Sequence, residues 1–181
     1  ISYIAAQFYV ADMSYLASQN TSVADMVSKI GRGLEAVQLN PYQAEYKISL
    51  SRSYLSRALG ELQKSEKDRD QNGVSKDVQL AIAYARGDTL EGTTKIQGAI
   101  QVSPKRVATW ETLGAVYRDI KFATGALEWA VRSFQTAIAL EPTSPVLHTE
   151  LGKLFVTNEE NEKARKEFEK AKDDTREAEK E

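Results

Sequence analysis

Three short stretches of this chain rhyme, and each ends in a proline: AVQLNP at Pro41, AIQVSP at Pro104 and AIALEP at Pro142. Each reads as the last turn of a helix, with a small alanine facing inward and a proline that cannot continue it. One helix ending used at three places marks a repeat array, in which each unit buries its apolar face only against its neighbours. Composition agrees: the helix formers Ala, Glu, Leu and Lys are among the commonest residues and only 4 prolines interrupt 181 residues, which favours helix throughout. With 41% hydrophobic and 28% charged residues, the chain is of the soluble globular type rather than the disordered one.

The clearest unit lies between residues 107 and 142. Trp110, Leu113, Gly114 and Tyr117 share one face of a first helix at i, i+3, i+4 and i+7. Ala130, Phe134 and Ala137 share one face of a second helix, and Pro142 closes it. The pattern W-x2-L-G-x2-Y followed by A-x3-F-x2-A-x4-P resembles the tetratricopeptide repeat (TPR). Leu151, Gly152 and Phe155, then Ala164, Phe168 and Ala171, repeat it, with Ala137 and Ala171 separated by the 34-residue TPR period. The resemblance implies an all-α solenoid of antiparallel helix pairs in a single TPR-like domain over 1–181. The pairs are expected at about 1–41, 42–104, 105–142 and 143–181. Four extra residues around DIKFATGALEW predict a longer first helix or turn in the third pair. Ser144 before Pro145 is the expected N-cap of the next helix, and Thr157 with Glu160 reads as a capping box for the last one.

The segment between Pro41 and Pro104 fits the period badly, because 63 residues are too many for one repeat and too few for two. Ala44, Ile48, Leu55, Ala58, Leu59 and Leu62 form a helical stripe over 43–66. Beyond a charged break with Asn72-Gly73, Val78, Ile82, Ala85, Thr89, Gly92, Ile96 and Ala99 keep 3–4 spacing. The spacing predicts one helix over 74–102 and an elongated hairpin with its tip near 67–75. A break at Asp88 would add a helix and spoil the alternation of the pairs.

The two ends read differently. The chain starts at Ile1 rather than Met, so it is expected to be cut from something longer. Its opening stretch, ISYIAAQFYVADMSYLASQN, is apolar but broken by Asp12, Ser and Gln short of the roughly 20 apolar residues of a membrane span. It lacks the basic start of a signal peptide and is expected to be an amphipathic helix. The tail from Glu159 is nearly all charge, and pairs such as Glu159–Lys163 and Glu162–Lys166 fit a solvated helix that caps the stack.

A closer likeness covers roughly residues 36–170. The runs NPYQAEYKISLSRSYL and VATWETLGAVYRDIKFATGALEWAVRSFQTAIALEPTSPVLHTELGKLF resemble the TPR-containing tail of bacterial O-antigen ligase/polymerase-like membrane proteins. The resemblance implies a soluble module of a bacterial membrane-anchored protein of glycan assembly, touching the membrane only through a preceding segment. It implies no catalytic residues in this chain.

Few residues carry chemistry of their own. There is no cysteine, which removes disulfides, thiolate metal sites and thiol nucleophiles. A net charge of −2 and a pI near 5.7 give no basic footprint for nucleic acid. His148, the only histidine, stands where Trp110 stands one repeat earlier and reads as a packing residue. Gly31-Arg32-Gly33 falls mid-helix and is too short for a phosphate loop. Arg86-Gly87-Asp88 spells an adhesion tripeptide but falls inside the expected helix, and Asn20-Thr21-Ser22 is a formal glycosylation acceptor. Trp110 and Trp129 have the rings to stack on sugars, yet their repeat positions assign them to the core. No catalytic, cofactor or metal residues are therefore expected, and the chain does not read as an enzyme.

What remains is binding. In TPR arrays the first helix of each pair lines the concave face. Those positions hold Glu45, Ser49 and Arg52, then Glu111, Ala115 and Arg118, then Glu150 and Lys153. The face is mixed in sign and has none of the asparagines by which TPR domains clamp a C-terminal carboxylate. A protein or peptide partner, extended or helical, is the expected ligand. The alternative to the membrane-tethered module is a free-standing TPR adaptor.

Overall fold

The computed structural model describes residues 3–89, 95–121 and 123–179. They divide into two compact units, residues 1–104 and 105–181. In the first, α1 (Tyr3–Asn20), a 3-10 turn (Val23–Asp25), α2 (Met26–Leu39), α3 (Ala44–Leu62) and α4 (Gln71–Arg86) pack in sequence order. A two-rung ladder follows, β1 (Asp88–Thr89) against β2 (Lys95–Ile96), and then a single turn, α5 (Ala99–Val102), which rests on α3 and α4. The second unit is α6 (Val107–Asp119), α7 (Ala126–Leu140), α8 (Pro145–Thr157) and α9 (Asn161–Ala178), again packed in order.

The three rhyming endings fold alike. α2, α5 and α7 each stop two residues before their proline, at Leu39, Val102 and Leu140. Each is closed by a cap residue near φ −138, whose N–H reaches back to the alanine four residues earlier. Those alanines, Ala36, Ala99 and Ala137, are all 0% exposed. Full burial in a close-packed interior leaves no room there for a longer side chain.

The single helix over 74–102 is not formed. α4 ends at Arg86, and Gly87 takes φ +95, a conformation that glycine adopts without strain. The chain then returns through the ladder and passes so close to itself that a Cβ on Gly98 would lie 2.1 Å from the Gly87 nitrogen. The 3–4 spacing across this stretch was accidental: Gly87, Asp88 and Thr89 are weak helix formers, and Gly92 lies outside the described residues. Arg86-Gly87-Asp88 consequently straddles the end of α4 rather than lying inside a helix, and the arginine pairs with the aspartate at 3.1 Å. Asn72-Gly73 is not a break either. It is the first turn of α4, capped by the Asp70 carboxylate, which accepts from the Gly73 N–H at 2.9 Å. The turn of this hairpin is residues 63–70, a little before the expected tip, and elongation is confined to the 19 residues of α3.

Buried polar groups fasten the first unit. The Arg57 guanidinium grips the Asp77 carboxylate with two bonds of 2.6 Å and lies 5.3 Å over Tyr54, which stacks on Tyr84 at 5.8 Å. Tyr46 donates to Asp12, and the buried Lys47 amine donates to the Gln97 carbonyl at 2.9 Å. Burial pushes the Tyr84 hydroxyl up to about 12 and raises those of Tyr54 and Tyr46, the last helped by Asp12. Because the unfolded chain gives up these protons first, near pH 10.0, their contribution is intact below that pH and is lost as pH climbs through 12. Lys47, whose pKa burial lowers from 10.5, acts with the opposite sign until pH reaches that value, so the decline belongs above it. The first unit should therefore lose helical circular dichroism in strong alkali, and Tyr84→Phe should move that midpoint to higher pH. A midpoint that does not move would show that Tyr84 is not what titrates.

In the second unit, glycines on the first helix of each pair receive rings from the second. A Cβ on Gly114 would lie 2.7 Å from the Phe134 ring, and one on Gly152 would lie 2.6 Å from Phe168. His148 is buried between α8 and α9, its Nδ1 2.6 Å from Glu167 Oε2 and its Nε2 2.9 Å from the Pro142 carbonyl. It is a packing residue, as its repeat position predicts, and also a polar latch. The extra residues of the third pair fall in the turn: six residues (120–125) join α6 to α7, three (158–160) join α8 to α9, and α6 and α8 both have 13 residues.

Two caps differ from expectation. Ser144 is the N-cap of α8 with Pro145 at N1, but its side chain caps nothing. Thr157 belongs to the end of α8, where its hydroxyl donates to the Lys153 carbonyl, so no capping box opens α9. Along α9, Lys163 pairs with Glu160 and not with the expected Glu159, while Arg165 bridges Glu162 at i,i+3 and Glu169 at i,i+4.

Candidate binding surfaces

The expected face positions are found on the first helices of their pairs. Glu45, Ser49 and Arg52 lie along one side of α3 and border a cavity of about 260 Å³. Its remaining wall comes from Tyr15 and Gln19 on α1, Met26 and Lys29 on α2, and Ile48, Ser53 and Ser56 on α3. The shape of this hollow follows from two braces. Ser18, buried on α1, donates to the Lys29 carbonyl at 3.0 Å, and Gln19 donates to Ser49 Oγ at 2.5 Å. Ile48 and the Tyr15 ring supply apolar floor, while the rim carries one carboxylate, two cations and several hydroxyls. Such a lining takes a side chain with an apolar body and a polar tip, together with the backbone beside it.

In the second unit, Glu111, Ala115 and Arg118 follow each other along one side of α6. Arg118 is drawn to Glu150 on α8 and also donates to Asp119 at 2.8 Å. Lys153 reaches the same Glu150 at 2.7 Å. Burial acts to raise the Glu150 carboxyl, but hydrogen bonds from Lys153 and Arg118 outweigh it and hold the group below the usual carboxylate range. The sequence-derived set is thus brought together at Arg118, Glu150 and Lys153, two cations on one carboxylate, with Asp119 supplying the second negative charge. Glu111 and Ala115 stand beside this network on the same helix and are half-buried.

Two features went unseen in the sequence. Trp129, assigned to the core by its repeat position, is 43% exposed. It stacks on Tyr117 at 6.0 Å and carries Arg132 at 5.6 Å, because the buried stripe of α7 runs through Ala126, Ala130, Phe134 and Ala137 and leaves Trp129 on its flank. The first helix, expected to be amphipathic, does not segregate its polar and apolar residues: Gln7, Asp12, Ser14 and Gln19 are spread around it, Ala11 and Ser18 are buried, and Tyr9, Met13 and Leu16 are exposed. Among the described residues no cluster of His, Asp or Glu has the geometry to hold a metal ion, and no helix is long and apolar enough to cross a membrane.

Comparison with solved structures places this architecture. A thermophilic TPR protein of Thermus thermophilus superposes with a TM-score of 0.63 at 18% identity, over 93% of this chain and 72% of that one. The chain has a TPR fold. MamA gives a TM-score of 0.64 at 16% identity over 99% of this chain and 82% of its own, and MamA of Desulfovibrio magneticus RS-1 gives 0.60 at 16% over 92% and 74%. No family model and no curated protein matches the sequence. At these identities the likeness establishes the TPR architecture. The bearing of its surfaces on function comes from their own chemistry.

Proposed function

We propose that this chain is a protein-interaction module that seats a peptide or helix of a partner protein, and that it performs no catalysis. The observation that carries this reading is the cavity of the first unit, bordered by the three α3 positions that TPR geometry turns toward a ligand, Glu45, Ser49 and Arg52. Its mixed lining suits an uncharged or zwitterionic peptide segment. In the second unit, the Arg118–Glu150–Lys153 network, balanced by Asp119, leaves little net charge to attract a strongly ionic ligand. Glu111 and Ala115 extend that face without adding a second charge cluster.

The finer reading is that the module belongs to a larger bacterial membrane protein of glycan assembly, and it rests on the sequence resemblance over residues 36–170. The native coding sequence upstream of Ile1 tests it separately. Several spans of about 20 apolar residues would support it, whereas their absence would favour a free-standing adaptor.

The binding reading itself is tested by a photo-crosslinking residue placed at Ser49 and, as a control, at Glu66 in the α3–α4 turn. Irradiation in the native host should yield a discrete protein adduct from position 49 alone, and Arg52→Glu should abolish it. Identical adducts from both positions, or none from 49, would remove the cavity from consideration.

A further inference from the structure

We propose that the cavity of the first unit takes a peptide segment in polyproline II conformation, with one acidic and one basic side chain three residues apart. This deepens the binding reading above and rests on it. The ligand's chemistry follows from the order of charge along the hollow. Glu45 and Arg52 both border it and stand seven residues apart on α3, roughly 10 Å at the helical rise. Two contacts locate the other walls. The Tyr15 ring lies 4.9 Å from Tyr46, so α1 meets the Glu45 end. A Cβ on Gly33 of α2 would lie 3.2 Å from the Leu50 side chain. The short 40–43 connection makes α2 and α3 antiparallel neighbours. Lys29, one turn before Gly33, therefore falls one turn beyond Leu50, beside Arg52 and Ser56. Two cations thus share one end of the cavity, and Glu45, the one carboxylate in the described lining, stands at the other.

Lys29 is half-buried, and its ammonium meets no carboxylate among the described residues. Asp25, the nearest acidic residue in sequence, caps α2 by accepting from the Ser28 N–H at 3.2 Å. A half-buried cation beside a second cation is satisfied by an anionic group from outside, and Glu45 draws a cationic one. Ile48 lies between the two ends and floors the middle. Residues three apart in a polyproline II segment face the same way, roughly 9 Å apart, which matches the spacing on α3. Same-side residues of a β-strand lie roughly 7 or 13 Å apart and do not match. Spread over roughly 10 Å, a volume of about 260 Å³ leaves a channel roughly 5 Å across, too narrow for a helix of about 10–12 Å. Nucleic acid is a poorer occupant, because Glu45 repels a phosphate chain laid along the same hollow.

The probes are end-labelled, C-amidated hexapeptides, titrated against the full chain by fluorescence anisotropy in low salt. Gly-Lys-Pro-Leu-Asp-Gly, or its reversed sequence, should bind about tenfold more tightly than the isomer with Lys and Asp adjacent. It should also bind more tightly than the versions with two Lys or two Asp. Glu45→Lys should move the preference to the doubly acidic peptide, and Lys29→Glu with Arg52→Glu should move it to the doubly basic one. Helical circular dichroism should be unchanged in both variants. A wild-type chain that prefers a doubly charged or adjacent peptide, or preferences that ignore these substitutions, would overturn the proposal. If no peptide binds while the Ser49 adduct persists, the charge order is wrong and the binding reading stands. Loss of both removes the cavity itself.

Discussion

Phe134→Ala is expected to destabilise the second unit by about 3–5 kcal/mol, the range seen when a buried aromatic ring is removed from a core that relaxes only in part. Phe134 is 1% exposed, and its ring occupies the notch left by Gly114, where a Cβ would stand 2.7 Å away. Removing the ring empties a space that the rigid backbones of α6 and α7 cannot close. The equivalent substitution one repeat later, Phe168→Ala, should cost clearly less. Phe168 fills the same kind of notch over Gly152, but it is 38% exposed because no further helix of the described chain covers α9. Chemical denaturation of the two variants measures the difference directly. Equal losses would mean that the repeats do not carry their load at the glycine–phenylalanine contact.

The second large effect is expected at Gly98. In Gly98→Val the added Cβ would meet backbone, 2.1 Å from the Gly87 nitrogen and 2.3 Å from the Arg86 carbonyl carbon, and neither can rotate away. The ladder and α5 would have to lift from α3 and α4, taking with them the Lys47 bond to the Gln97 carbonyl. A loss of about 3 kcal/mol or more is expected for such overpacking against main chain. Amide hydrogen exchange should accelerate most in α5 and β2. Gly31→Ala provides the contrast: it lies mid-α2 with nothing within 4 Å of the new Cβ, so a gain of about 0.5–1 kcal/mol is expected. If Gly98→Val melts like the parent, the close approach of the two glycines is not present in solution.

Much of this architecture was legible before any coordinates. The Trp110–Pro142 unit gave its helices, its small-residue notches and its period, because each of those residues reports a local requirement: a ring needs a notch, and a proline needs a helix end. His148 was read correctly for the same reason, from its place in the repeat. The residues expected on the binding face stand on α3, α6 and α8, and which of them pair was not legible in the sequence. Arg118 meets Glu150 only because α6 and α8 carry them to the same place, 32 residues apart in sequence.

The misreadings share one cause. Spacing records which side chains share a side of a helix, provided the helix exists, and says nothing of whether a neighbour covers that side. Residues 74–102 kept helical spacing while Gly87 turned the chain at φ +95. Trp129 held a repeat position yet lies beside the stripe that α7 buries. α1 looked amphipathic in sequence, but only its contacts with α2 decide which of its apolar sides is covered. By itself the sequence determined the class of fold, the repeat length and the three helix endings, all of which follow from local sterics and backbone hydrogen bonding. The reversal at Gly87–Gly98, the Arg118–Glu150–Lys153 network and the open side of α1 were decided by tertiary structure, because each depends on distances between segments that no local rule constrains.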